Sequence, residues 1–290
     1  MSEAVPVTLP PTLPPAARAN TLHCDGLKVI LLDNFFSASE CTWLIASLSP
    51  ALPTVDSRAS SYRQRLQVDV VEAPLIDTIW SRLCAARALS QDANEMLGNL
   101  TVDDAGDGLD GEWRATHLRR RLLFAGYNSS DFFGPHYDLR VNSEGKGLSD
   151  DKDERRRVDV ASHVTVVMYL NEAGKDFDGG CTNILKTQTQ ILERIAPAAG
   201  SALLFLQEQV YHEGGVVNSG NKFIMRADVM YHRNSELSAH PPTTTRSPGP
   251  PPQSHMKPQL PPPAHLPTGS RARVCIECWR VQPDAGGPFK

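Results

Sequence analysis

The 290 residues hold no apolar run near the roughly 20 needed to cross a bilayer as a helix, so no transmembrane helix is expected. The first residues, MSEAVPVTLPPTLPPAARAN, lack a basic stretch followed by an apolar one, and their prolines interrupt any targeting helix. No secretory leader is expected, and the expected compartment is cytoplasmic. Charge of one sign is also scarce. Lys and Arg total 29 against 33 Asp and Glu, a net −4, which carries no whole-protein footprint for nucleic acid. Cysteines number six, at 24, 41, 84, 181, 275 and 278, without the dense spacing of a disulfide framework. Reduced thiols are expected. The one CxxC, Cys275–Cys278, has no second pair to close a tetrahedral zinc site.

What is present is an ordinary globular composition, 40% hydrophobic and 21% charged. Proline concentrates at the two ends. Residues 1–21 are Pro- and Ala-rich and are expected to be disordered. Residues 236–290 form a Pro-rich low-complexity tail ending in the CxxC segment. The stretch 236–270 reads as a plain linker or as a ligand for a Pro-binding module.

Between them, 22–235 reads as one domain. Leu27–Leu32 predicts a strand. Ser37 three residues before Glu40 is a capping-box pattern that opens a helix through Trp43, Leu44 and Leu48. Pro74 suits a first helical turn, and Leu75, Ile76, Ile79 and Leu83 follow at helical spacing. Strands are predicted at 117–127, 136–139, 163–170, 182–184, 190–195, 202–206, 216–217 and 223–231. The charged run 142–159 reads as a long exposed loop. Helices early and strands late imply an α+β protein with a sandwich or barrel core.

One constellation points to chemistry. Residues two apart on a strand face the same side, so His136 and Asp138 would present an imidazole and a carboxylate together. That is two-thirds of a 2-His-1-carboxylate facial triad for iron, although a surface His near an Asp looks the same in isolation. Downstream, His212 is followed by Gly214-Gly215 and offers a third ligand from a remote strand. Lys222, ten residues on, can return on the adjacent strand after a turn at 218–220 and pair with a carboxylate beside the metal. Alone, it would be an exposed hairpin lysine.

Taken together, LLFAGYNSSDFFGPHYD (122–138), HVTVVMYLNEAGKDFDGGCTNIL (163–185), PAAGSALLFL (197–206) and YHEGGVVNSGNKFIMRADVMY (211–231) resemble the catalytic domain of the prolyl 4-hydroxylase-like, 2-oxoglutarate/Fe(II)-dependent dioxygenases. The resemblance implies a double-stranded β-helix (jelly-roll) core with the N-terminal helices packed on its major sheet. It implies iron held by His136, Asp138 and His212, and 2-oxoglutarate held through its distal carboxylate by Lys222 with help from Tyr127. Tyr169 and Thr165 would line the cosubstrate pocket. Either tyrosine could equally be a core aromatic. The implied reaction hydroxylates a substrate C–H, in the first instance peptidyl proline. It consumes O2 and 2-oxoglutarate, releases succinate and CO2, and is supported by L-ascorbate. A protein or peptide is the implied substrate. The same chemistry on another substrate, or an inactive jelly roll that only binds, are the alternatives. The 142–159 insertion stands where substrate-covering loops occur. Cys181 departs from the family's usual Glu without touching a ligand position. Arg226 is left open between a place near the cosubstrate and none there, whereas His23, His117, His163 and His232 are read as structural.

Overall fold

The computed structural model describes residues 9–55, 59–103, 108–149 and 151–234. The tail expected at 236–290, with Cys275 and Cys278, lies outside the described residues, as do residues 1–8. No helix among the described residues is long and apolar enough to cross a membrane.

The chain opens with a hairpin of β1 (Arg18–Cys24) and β2 (Leu27–Asp33). Its two-residue turn is Asp25–Gly26, with φ of +52° and +87°. Both residues lie in the left-handed region that matches the twist of the flanking strands. Helix α1 (Ala38–Leu48) starts as the sequence predicts: the Ser37 hydroxyl accepts from the Glu40 N–H and the Ser37 N–H donates to Glu40 Oε2. Short β3 (Arg63–Gln64) and β4 (Leu66–Val70) follow, then α2 (Ala73–Ala86) with Pro74 in its first turn, and α3 (Gln91–Met96). Strands β5 (Asn99–Val102), β6 (Gly111–Leu118), β7 (Leu122–Tyr127) and β8 (Phe132–His136) lead to a short helix, α4 (Lys152–Arg156). The rest is β9 (Val160–Tyr169), β10 (Phe177–Gly179), β11 (Thr182–Leu185), β12 (Ile191–Ile195), β13 (Ala202–Leu206), β14 (His212–Gly214), β15 (Val217–Gly220) and β16 (Lys222–Arg233).

Nine strands form the major sheet, in the order β1-β2-β13-β9-β16-β6-β5, with β7 pairing both β16 and β4. Five form the minor sheet, β12-β11-β14-β8-β3, all antiparallel. The two sheets make the double-stranded β-helix. Strand β9 shows why the central strands read as continuous apolar runs. Val164, Val166 and Met168 face outward onto the helices with Leu44, Ile79 and Leu83. Val167 and Tyr169 face inward with Ile184, Phe205 and Val217. Both faces are covered, so both parities are apolar.

Several expectations are corrected. Ordered structure begins before residue 22: Leu9 is buried, the Pro10 carbonyl accepts from Arg82, and β1 starts at Arg18. Proline keeps its carbonyl acceptor, and the buried Arg82 uses it together with the Phe35 carbonyl and Glu40. The strand expected over 117–127 is two strands. Arg119, Arg120 and Arg121 break it, each reaching a different acid: Asp228, Asp77 and Asp69. The 142–159 run is not simply an exposed loop. Asp151 caps α4, and Arg155, 3% exposed, pairs with Glu208 at 2.8 Å. His212 and Lys222 are not on adjacent strands of a hairpin. The chain crosses from β14 in the minor sheet, by way of β15 on β10, to β16 in the major sheet.

Candidate metal centre and cavity

The crossing to opposite sheets is what builds the site. His136 ends β8 and His212 begins β14, and the two are direct cross-strand partners. Their rings sit 4.1 Å apart between centroids. Asp138 lies just past the end of β8, and its Oδ1 is 3.7 Å from His136 Nε2. One ligand atom from each of the three residues falls within 4.8 Å of the others, and all three residues are buried.

The donor set suits a divalent metal. His136 Nδ1 meets the Gly134 carbonyl at 2.7 Å, and His212 Nδ1 meets the Val210 carbonyl at 3.0 Å. A carbonyl can only accept, so each Nδ1 carries the proton and each Nε2 keeps a lone pair for the centre. Burial, and for His136 the neighbouring His212, holds both imidazoles below their ordinary value, so both rings are neutral near pH 7. Burial alone would raise the Asp138 carboxyl. The Arg226 guanidinium and the neighbouring imidazoles oppose it and hold the group below the usual carboxylate range. Asp138 Oδ2 accepts from the Thr165 hydroxyl at 2.7 Å and faces Arg226 Nη2 at 3.2 Å. With that oxygen engaged, Oδ1 is left toward the two imidazoles.

A cavity of about 290 Å³ opens beside these groups, lined in part by Arg65, Tyr127, Thr182 and Lys222. Lys222 is 3% exposed, and its ammonium donates to the Gly180 carbonyl at 2.6 Å. Among the described residues no carboxylate pairs with it. Burial, with Arg65 repelling it from one side, pushes its pKa down to about 8. A buried cation without a counter-ion is costly unless a ligand brings one.

Tyr127 lines the cavity, and its hydroxyl oxygen accepts from Arg65 Nη1 at 2.8 Å. The other two pocket candidates each bond to a residue that lines the cavity. Thr165 is bonded to Asp138, and the Tyr169 hydroxyl donates to Thr182 Oγ1 at 2.7 Å. Neither is among the residues lining the cavity, whereas Thr182 is. Strand alternation gives the face a side chain points to, but not the neighbour it meets there. Arg226 lines the cavity and also meets the Asp138 carboxylate.

Arg65 and Thr182 were missed. Arg63 and Arg65 share the spacing of two that drew attention to His136 and Asp138, which is a signal that could have found Arg65. No comparable signal marks Thr182.

Residues 122–227 match the model of the 2OG-Fe(II) oxygenase superfamily. No curated protein sequence matches the chain. Among solved structures it is similar to the viral collagen prolyl hydroxylase of Paramecium Bursaria Chlorella virus-1 in its 2OG complex, at 19% identity over 72% of this chain and 98% of that one, with a TM-score of 0.46. It is similar to a Pseudomonas putida prolyl-4-hydroxylase at 17% identity, over 71% of this chain and 92% of that one, with a TM-score of 0.46. A third is the Trichoplax adhaerens prolyl hydroxylase in complex with a hypoxia inducible factor oxygen degradation domain peptide, at 14% identity, over 73% and 87%, with a TM-score of 0.45.

Proposed function

We propose that this chain, whose residues 122–227 form a 2OG-Fe(II) oxygenase superfamily domain, is a 2-oxoglutarate-dependent hydroxylase acting on peptidyl proline. The observation that carries the oxygenase reading is the convergence of two neutral imidazoles and one carboxylate from separate segments within 4.8 Å. The proline substrate rests on the resemblance of the four segments between 122 and 231 to the prolyl 4-hydroxylase-like domain.

His136, Asp138 and His212 would hold Fe(II), three ligands that leave positions for cosubstrate and O2. Bound there, Fe(II) with 2-oxoglutarate and O2 supplies the oxidising power for C–H hydroxylation, with release of succinate and CO2. The chain's own residues do the rest. Gly134 and Val210 carbonyls fix the tautomers of the two histidines. Thr165 and Arg226 orient the carboxylate of Asp138. Lys222 and Tyr127 receive the distal carboxylate of 2-oxoglutarate. Inward-facing Val167 and Phe205, with their neighbours in the barrel, keep bulk water from the reacting centre. Ascorbate would maintain the iron in its reduced state.

The test is anaerobic loading with Fe(II) and 2-oxoglutarate, followed by incubation with proline-containing peptide arrays, O2 and ascorbate. A visible charge-transfer band and a mass gain of one oxygen on proline are expected. Oxygen gained only at other residues would keep the chemistry and replace the substrate. A protein that binds metal and cosubstrate in neither assay would be an inactive jelly roll that acts by binding.

A further inference from the structure

The cavity holds more positive charge at its inner wall than Lys222 alone. Three adjacent strands of the major sheet bring a row of side chains together. In the pairing of β7 with β16, Tyr127 sits opposite Lys222. In the pairing of β4 with β7, Leu66 sits opposite Gly126, which puts Arg65, one residue before, beside Tyr127. The row is therefore Arg65, Tyr127, Lys222.

The Tyr127 ring lies between the two cations. Lys222 Nζ is 5.2 Å from the ring centroid and Arg65 Cζ is 5.8 Å from it. Arg65 is 8% exposed and its position is determined on several sides. Its Cζ lies 4.4 Å from the Phe133 ring centroid, its Nε donates to Gln67 Oε1 at 3.1 Å, and its Nη1 donates to Tyr127 Oη at 2.8 Å. Arg65 has no acceptor atom, so Tyr127 Oη must be the acceptor in that bond. The hydroxyl's own proton is then left to donate elsewhere. Two buried cations side by side repel each other, and an anion entering the cavity beside them would offset that repulsion.

We infer that Arg65 is a positioning residue for the cosubstrate: it sets the Tyr127 hydroxyl as a donor to the distal carboxylate and adds a second positive charge behind it. This rests on the 2-oxoglutarate reading of the cavity. It goes beyond that reading by assigning discrimination for a dicarboxylate to a residue ahead of β7, outside the segment that matches the superfamily.

The experiment compares 2-oxoglutarate with 2-oxopentanoate, which has the same keto acid end and no distal carboxylate. Binding to the full chain loaded with Mn(II) is followed by calorimetry for wild type, Arg65→Met, Arg65→Lys and Tyr127→Phe. Arg65→Met is expected to weaken 2-oxoglutarate about 10- to 100-fold, the range for a hydrogen bond to a charged group. 2-Oxopentanoate should change less than about twofold, because nothing it carries meets Arg65. Arg65→Lys should recover part of the loss by restoring charge. Combining Arg65→Met with Tyr127→Phe should cost less than the sum of the two. Unchanged 2-oxoglutarate binding in Arg65→Met, or a parallel loss of both keto acids in both Arg65 variants, would overturn the inference and leave the cosubstrate reading standing. Wild type binding both keto acids equally, or neither, would overturn that reading as well.

Discussion

At the scale of single residues, the candidate metal site is held by bonds to atoms turned away from its centre. Thr165 donates to Asp138 Oδ2, so Thr165→Val leaves that oxygen held by Arg226 alone. A 10–100-fold loss of Mn(II) or Fe(II) affinity is expected, of the order seen when ligand-orienting partners are removed. Competition titration against a chelating dye checks it, with Thr165→Ser expected to recover the wild-type value. Lys222 gives a pH dependence. Its ammonium is the form that pairs with a carboxylate, and burial lowers its pKa from 10.5 to about 8. Affinity for 2-oxoglutarate should therefore be flat below about pH 8 and fall about tenfold per pH unit above it. Binding in that upper range should take up a proton, because the bound carboxylate raises the pKa again. Calorimetry in buffers of different ionisation enthalpy reads both. The triad itself was legible because two of its members are two residues apart and the third precedes a Gly-Gly pair. Arg65 shares a spacing of two with Arg63 but was not promoted, because arginines ligate no metal and the anion they would serve is not visible along the chain.

At the scale of elements, α1 and α2 are tied by a buried ion pair. Arg82 is 1% exposed and meets Glu40 at 2.5 Å, with the Phe35 and Pro10 carbonyls completing its bonds. Arg82→Met strands Glu40 and two carbonyls, and about 3–5 kcal/mol of stability should be lost. Ser37→Ala removes only the cap of α1 and should cost about 1 kcal/mol. Urea unfolding followed by circular dichroism should rank the two in that order. The longer elements were legible in outline: the capping box located α1, Pro74 located the start of α2, and the apolar runs located β9, β13 and β16. Short elements were not. Three-residue β14 and two-residue β3 carry too few side chains to show a period, and both exist because neighbouring strands supply their hydrogen bonds.

At the scale of the whole molecule, the site joins the two sheets, so occupying it should stabilise the barrel as a unit. With Fe(II) or Mn(II) and 2-oxoglutarate each near a hundred times its Kd, linkage adds about 2.7 kcal/mol per ligand. The melting temperature should rise accordingly, fall back on chelation, and not respond to metal in His212→Ala. Scanning calorimetry separates these cases. Read by itself, the sequence determined the class of fold, the order of its main elements and the identity of the three metal-binding candidates. Those properties are carried by local periodicity, caps and short spacings. It could not determine that Lys222 lines the triad's cavity from the opposite sheet, that Thr165 meets Asp138, or that Arg65 meets Tyr127. Such contacts depend on which strands become neighbours. Hydrogen bonds between backbones far apart in the chain decide that, and they leave no period in the sequence.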